Sequence, residues 1–116
     1  MYNLHMLAAN YLNILPEITR RIVSVSDPEK VILFGSYVRG DYHQDSDLDI
    51  LVIVKHVTST RLESVRLRRA LRGLLVPVDV LVATTEQIDR YRNTVGLIYQ
   101  SAIAEGKVVY DRTNAG

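Results

Sequence analysis

The stretch DLDILVIV, Asp47 to Val54, constrains this chain more than any other. Beyond its second aspartate every residue is apolar, so both faces of an extended segment would be hydrophobic. Such a strand belongs in the middle of a sheet covered by helices on either side, which points to an α/β domain. The same stretch sets a problem. Side chains alternate along a strand, so Asp47 and Asp49 project to one face, about 6.6 Å apart at a rise of roughly 3.3 Å per residue. Two like charges at the end of a buried strand repel and lose hydration, which destabilises the fold unless something compensates. A divalent cation would do so, because hard ions such as Mg²⁺ take a few carboxylates together with waters and phosphate oxygens. The plainer alternative is a solvated strand end, with the acids accepting backbone hydrogen bonds or pairing with Arg39.

The rest of the chain alternates helical and extended patterns. Leu4, Leu7, Ala8, Tyr11, Leu15, Ile18, Ile22 and Val25 recur at helical spacings. Pro16 interrupts them, so an arm or short helix over residues 1–12 and a proper helix from about Pro16 to Val25 are expected. VILF reads as a short buried strand ended by Gly35, SYVR as one helical turn closed by Gly40, and DYHQDS as a polar loop. Ser59 to Leu75 is helical, with Leu67, Ala70, Leu71 and Leu74 on one stripe and Arg61, Arg68 and Arg72 opposite. VPVDVLV is a third strand, Pro77 marking its start or an edge position. Thr84 with Gln87 forms a capping box that opens a helix to about Arg92. A last helix from about Val95 ends at Gly106, and KVVY adds a short final strand. The expected architecture is a single α/β domain over residues 13–116, with a mixed sheet flanked by helices.

Asp79 sharpens the reading of the first two acids. It is the only charged residue in LLVPVDVLVA, on a strand expected beside Asp47 and Asp49, so a third carboxylate could reach the same cation; an ion pair with an arginine of the preceding helix is the alternative. Upstream, Gly35 and Ser36 follow a strand and open a helical turn. Glycine lets backbone approach a ligand closely, and the free N–H groups of a helix start suit a phosphate, to which the Ser36 hydroxyl adds a donor. Arg39 lies on roughly the same side of that turn. It could bind phosphate, or pair with Asp47 or Asp41.

Composition adds exclusions. The 116 residues suffice for one core, and 14 Lys+Arg against 13 Asp+Glu leave a net charge of +1, so no global basic field advertises nucleic acid. The absence of cysteine removes disulfides, thiolate zinc and a Cys nucleophile and fits a reducing compartment. No apolar run approaches the ~18 residues of a membrane helix, and a cytoplasmic protein is expected. Arg61, Arg66, Arg68, Arg69 and Arg72 could track RNA or DNA phosphates or dock an acidic partner, although such a row is usually a solvated face. His5, His43 and His56 have no ligand-like spacing; His43 could approach a bound nucleotide but reads as a solvated loop residue. Tyr11 and Tyr99 read as packing residues, whereas Tyr37 and Tyr42 flank the glycine-serine turn, where base stacking is possible.

Glycine-serine, ten intervening residues, then DLD, with Asp79 on a later strand, resembles the minimal nucleotidyltransferase (MNT) branch of the DNA polymerase β nucleotidyltransferase superfamily. The likeness runs from about Pro16 to Tyr110, and Ser46 and the tail EGKVVYD share in it. It implies transfer of a nucleoside monophosphate, AMP from ATP in the leading case, to an acceptor hydroxyl with release of pyrophosphate. Gly35 and Ser36 would hold the triphosphate, with Arg39 as a further nucleotide contact. Asp47 and Asp49 would bind two Mg²⁺ ions, joined by Asp79 on the ion nearer the acceptor, where it could also act as general base. Larger relatives carry an acceptor-binding domain, whereas only 37 residues follow Asp79 here. The expected partner is therefore a HEPN-type helical RNase toxin, for which similar MNT antitoxins modify a tyrosine, in a hetero-oligomer or alongside a homodimer. The rival expectation is a non-catalytic nucleotide-binding antitoxin or regulator that acts by contact.

Overall fold

Helix α1 runs unbroken from Leu4 to Ser26 with Pro16 inside it. The computed structural model describes residues 4–43, 45–74, 76–92, 94 and 98–114, with side chains from Tyr11 onward in this helix. The expected break at Pro16 does not occur. Proline removes the N–H that would bond the Leu12 carbonyl, at a cost of about 3 kcal/mol in a helix interior. Leu12 is itself exposed and not part of the buried core. Burial outweighs the proline cost: Ile18 and Ile22 are fully buried, each contributing about 1.5–3 kcal/mol, and Tyr11, Leu15 and Val25 pack on the same core.

Strand β1 (Lys30–Phe34), the single-turn helix α2 (Ser36–Arg39) and strand β2 (Leu48–Val54) follow as expected. Helix α3 spans Thr60–Ala70, N-capped by Ser59, whose hydroxyl accepts from the Leu62 amide at 3.2 Å. It stops short of the expected Leu75, because Leu71 closes the last turn and Gly73 follows at φ +87°; Leu75 itself lies outside the described residues. Strand β3 (Val78–Thr84) begins directly after Pro77 at a sheet edge. Helix α4 (Thr85–Tyr91) opens with the expected capping box: the Gln87 amide donates to Thr84 Oγ1 at 3.1 Å, and Gln87 Oε1 accepts from the Thr84 amide at 2.9 Å. Helix α5 (Ile98–Glu105) and strand β4 (Lys107–Asp111) complete the domain. The expected start of α5 at Val95 lies outside the described residues.

The sheet order is β3-β2-β1-β4, with β2 and β3 parallel and β1 antiparallel to both β2 and β4. The apolar run of β2 therefore sits inside the sheet, covered on both faces. Ile50, Val52 and Val54 join Ile18 and Ile22 of α1 and Leu67 of α3 on one side. Leu51 and Ile53 join Ile88 of α4 and Ala102 of α5 on the other. Gly106 makes the second layer possible, since a Cβ there would stand 2.2 Å from the Ala102 carbonyl oxygen and 2.5 Å from Ile32. That tight corner folds α5 back over β1 and brings its last turn to the end of the sheet where β1 stops and β2 starts.

Candidate active site

At that end of the sheet, Asp49 is the register partner of Phe34 on β1 and of Asp79 on β3. Its carboxylate lies against Gly35, where a Cβ would stand 2.1 Å from Asp49 Oδ2. Gly35 has φ +80° and ψ −155°, a backbone that side-chain-bearing residues rarely adopt. Glycine is thus required twice over, for the turn and for the room it leaves the acid. The Gly35 carbonyl accepts from the Val38 and Arg39 amides at 3.1 and 3.0 Å and opens α2, which Gly40 closes in the left-handed conformation.

Tyr37 anchors α2 to the sheet. It is buried, stacked on Tyr42 at 4.6 Å between centroids, and met by Tyr11 at 4.8 Å. The possibility that Tyr37 stacks on a nucleotide base is thereby corrected: its ring is covered by protein on both neighbours' sides. Its hydroxyl is buried with no hydrogen-bond partner among the described residues, and burial, then Tyr42, Asp47 and Tyr11, pushes its pKa up.

Asp47 stands just ahead of β2, exposed, and not inside the strand as its spacing suggested. The turn before it is tied by two bonds between His43 and Ser46: the His43 amide donates to Ser46 Oγ and the Ser46 amide to the His43 carbonyl, both at 2.9 Å. Asp49 feels both of the other acids. Burial, followed by repulsion from Asp79 and then Asp47, raises the Asp49 pKa above the ordinary carboxylate value, with Arg39 opposing. Asp79 is 58% exposed, and its Oδ1 accepts from Arg68 Nη2 at 2.8 Å, the same guanidinium donating to the Val80 carbonyl at 3.2 Å. The ion-pair alternative for Asp79 is therefore realised alongside its register contact with Asp49. Among the described residues no three acidic or imidazole groups are gathered closely enough to cage a metal.

A polar cleft of about 530 Å³ opens here, with Gly35, Ser36, Arg39 and Asp49 in its wall. His43, which read as a solvated loop residue, also lines it, as do Ser101 and Glu105 of α5. Arg39 pairs with Asp41 at 3.3 Å and Glu105 at 3.5 Å rather than with Asp47. No spacing in the sequence points to Ser101 or Glu105; only the antiparallel β1–β4 pairing brings them in. A larger groove of about 840 Å³ between α1 and β4 is lined by residues such as Leu12, Leu15 and Val108 and holds none of these acids.

The donor set fits a hard divalent cation that brings some of its own ligands. Asp49 is a destabilised, half-buried carboxylate beside a second acid and an open cleft, which is what Mg²⁺ with waters and phosphates requires. Asp79 has one oxygen, Oδ1, engaged by Arg68, and offers a cation both oxygens only once it leaves that arginine.

A small mixed sheet between helices, with an acid-bearing central strand beside a glycine-serine turn, defines a nucleotidyltransferase-type α/β domain. The chain belongs to the nucleotidyltransferase domain family, whose profile matches residues 12–108. It is similar to two curated relatives from Methanocaldococcus jannaschii, each described as a candidate protein adenylyltransferase. One is 40% identical over 55 residues, 47% of this chain and 54% of the relative; the other is 28% identical over 90 residues, 72% of this chain and 59% of the relative. The matched stretches thus span little more than half the length of those relatives. Among solved structures, a candidate nucleotidyltransferase from Sulfolobus solfataricus superposes with a TM-score of 0.66 at 25% identity, covering 92% of this chain and 86% of that one. A toxin–antitoxin crystallised with AMP-PNP shares the fold at a TM-score of 0.57 and 23% identity, over 82% of this chain and 72% of that one.

Proposed function

We propose that this chain is a Mg²⁺-dependent transferase that moves AMP from ATP to a hydroxyl of a partner protein, and that the partner is a HEPN-type toxin for which it is the antitoxin. The observation that carries the reading is the Asp49 carboxylate seated on Gly35 at the register position of Asp79. It supports a site where a phosphate chain approaches backbone at the glycine while acids face it from the strand ends. The description of the curated relatives as protein adenylyltransferases supports the acceptor class, and the toxin–antitoxin neighbour supports the partner.

In this reading the amides of the Gly35–Ser36 turn, the Ser36 hydroxyl and Arg39 bind and orient the β- and γ-phosphates. Arg39 must exchange Asp41 and Glu105 for phosphate oxygens, a trade between exposed partners that costs little. Asp47 and Asp49 hold Mg²⁺, which neutralises charge on the phosphates and favours in-line attack when bound. Asp79 accepts the proton of the acceptor hydroxyl. The acceptor oxygen bonds to the α-phosphorus as its bond to the pyrophosphate oxygen breaks, and pyrophosphate leaves. The test is incubation with each NTP and Mg²⁺, with and without copurified partner, followed by intact mass measurement. A gain of AMP on the partner is expected; no gain with any nucleotide on a partner that binds would sink the proposal.

The Arg68–Asp79 ion pair favours one second reading, a module that binds nucleotide and blocks its partner by contact alone. Asp47→Asn with Asp49→Asn separates the two: full neutralisation of the partner by the double variant would make catalysis dispensable.

A further inference from the structure

The outward face of α3 has no role in the cleft. The inward face is occupied: Leu67 and Leu71 are buried, and buried Glu63 accepts from Ser26 Oγ at 2.6 Å and from Arg66 at 3.2 Å. Arg66 also donates to the Val25 carbonyl. Outward stand Arg61, Arg69 and, in the turn beyond the helix, Arg72, all exposed and none with an ion-pair or side-chain hydrogen-bond partner among the described residues. Leu62, 57% exposed, sits among them. Solvated surfaces commonly intersperse both signs of charge. Here the only acid of α3 is the buried Glu63, and the like charges of Arg69 and Arg72, three residues apart, repel with no ion-pair partner for either among the described residues. In a chain of net charge +1 this is a local concentration of positive charge, not a general one.

Two observations choose between the partners such a face could take. An exposed leucine in the middle of the arginines suits a protein, whose docking surfaces combine apolar anchors with a charged rim. Arg68 of the same helix already takes a protein carboxylate, Asp79 Oδ1 at 2.8 Å, which is the group an acidic segment would offer the neighbouring arginines. We propose that the outward face of α3 docks an acidic, leucine-complementary segment of the acceptor protein, and that a carboxylate of this segment takes Arg68 from Asp79 as it arrives. The destination of the segment rests on the transferase reading; its binding does not. Docking would then place an acceptor beside Asp79 in the same step that frees that acid.

The probe is a fluorescein-labelled synthetic peptide rich in Glu and Leu with one Tyr, compared with the same peptide carrying Gln for Glu and with oligouridylate of equal length, by anisotropy at low and high salt. The acidic peptide is expected to bind, to weaken with salt, and to bind the R61S/R69S/R72S variant about tenfold more weakly, given what three exposed ion pairs contribute. Circular dichroism checks that the variant is folded. Equal binding by variant and parent, or equal binding of the Glu and Gln peptides, overturns the proposal; tighter binding of oligouridylate overturns it in favour of RNA. For the exchange at Arg68, Mn²⁺ affinity is measured with and without peptide. The peptide is expected to tighten Mn²⁺ binding to the parent and to leave R68Q unaffected; no change in the parent overturns the exchange. A chain that binds the acidic peptide but neither Mn²⁺ nor ATP keeps the docking surface and loses the transferase reading.

Discussion

Oδ2 of Asp49 occupies the space a side chain on Gly35 would need, 2.1 Å from the ideal Cβ position. Gly35→Ala therefore meets two penalties. The φ of +80° costs an L-residue about 1–2 kcal/mol, and the methyl displaces the carboxylate or the turn. The variant is expected to melt several degrees lower and to lose the stabilisation that MgATP gives the parent, measured by thermal denaturation with and without nucleotide. Retention of the MgATP effect would separate the glycine from the site.

Asp49→Asn is expected to raise stability and abolish transfer. Burial, Asp79 and Asp47 raise the folded-state pKa of Asp49, so the protonated form is favoured by folding. Its contribution is fully present below the unfolded carboxylate pKa and is lost as pH rises through the folded value. At neutral pH the neutral amide should hence melt above the parent, the gap closing towards pH 3. AMP transfer should fall by at least about a hundredfold. A melting point below the parent at neutral pH would contradict the electrostatic account.

Arg68→Gln removes the fixed cation that pairs with Asp79 at 2.8 Å. Mn²⁺ binding to the isolated chain is expected to tighten by up to about fivefold, the equivalent of one exposed ion pair. Titration calorimetry measures it. Unchanged or weaker binding would mean that Asp79 does not contribute to the cation site.

Glu17 links stability to acid. Arg20 and then Arg21 bond its carboxylate and hold its pKa down at about 2, while Arg21 also donates to the carbonyls of Ala70 and Arg72 at 3.1 and 3.0 Å, tying α1 to the end of α3. A depressed folded pKa adds stability above the unfolded value and loses it as pH falls. Glu17→Gln should thus lower the melting point at pH 7, and the difference should vanish between pH 4.5 and about 2. A constant difference across that range would assign the effect to packing.

Periodicity and local chemistry sufficed for the strands, the capping box of Thr84 and Gln87, the Gly40 cap and the α/β class, because each depends on residues close in sequence. The apolar run after Asp49 could only be a covered central strand. Pro16 leaves α1 unbroken because its local penalty is outweighed by the burial of Ile18 and Ile22, which exists only once α1 lies on the sheet. Registry was likewise beyond sequence. That Asp49 faces Asp79, that Glu105 and Ser101 reach the cleft through the Gly106 corner, that Arg39 pairs with Asp41 and Glu105, and that Arg68 holds Asp79 all depend on which strand lies beside which. Sequence alone determined the kinds of groups this protein brings to its site, since side-chain chemistry is fixed residue by residue; tertiary structure decided which charges meet, since Coulombic and hydrogen-bond energies act over a few ångströms of space and not along the chain.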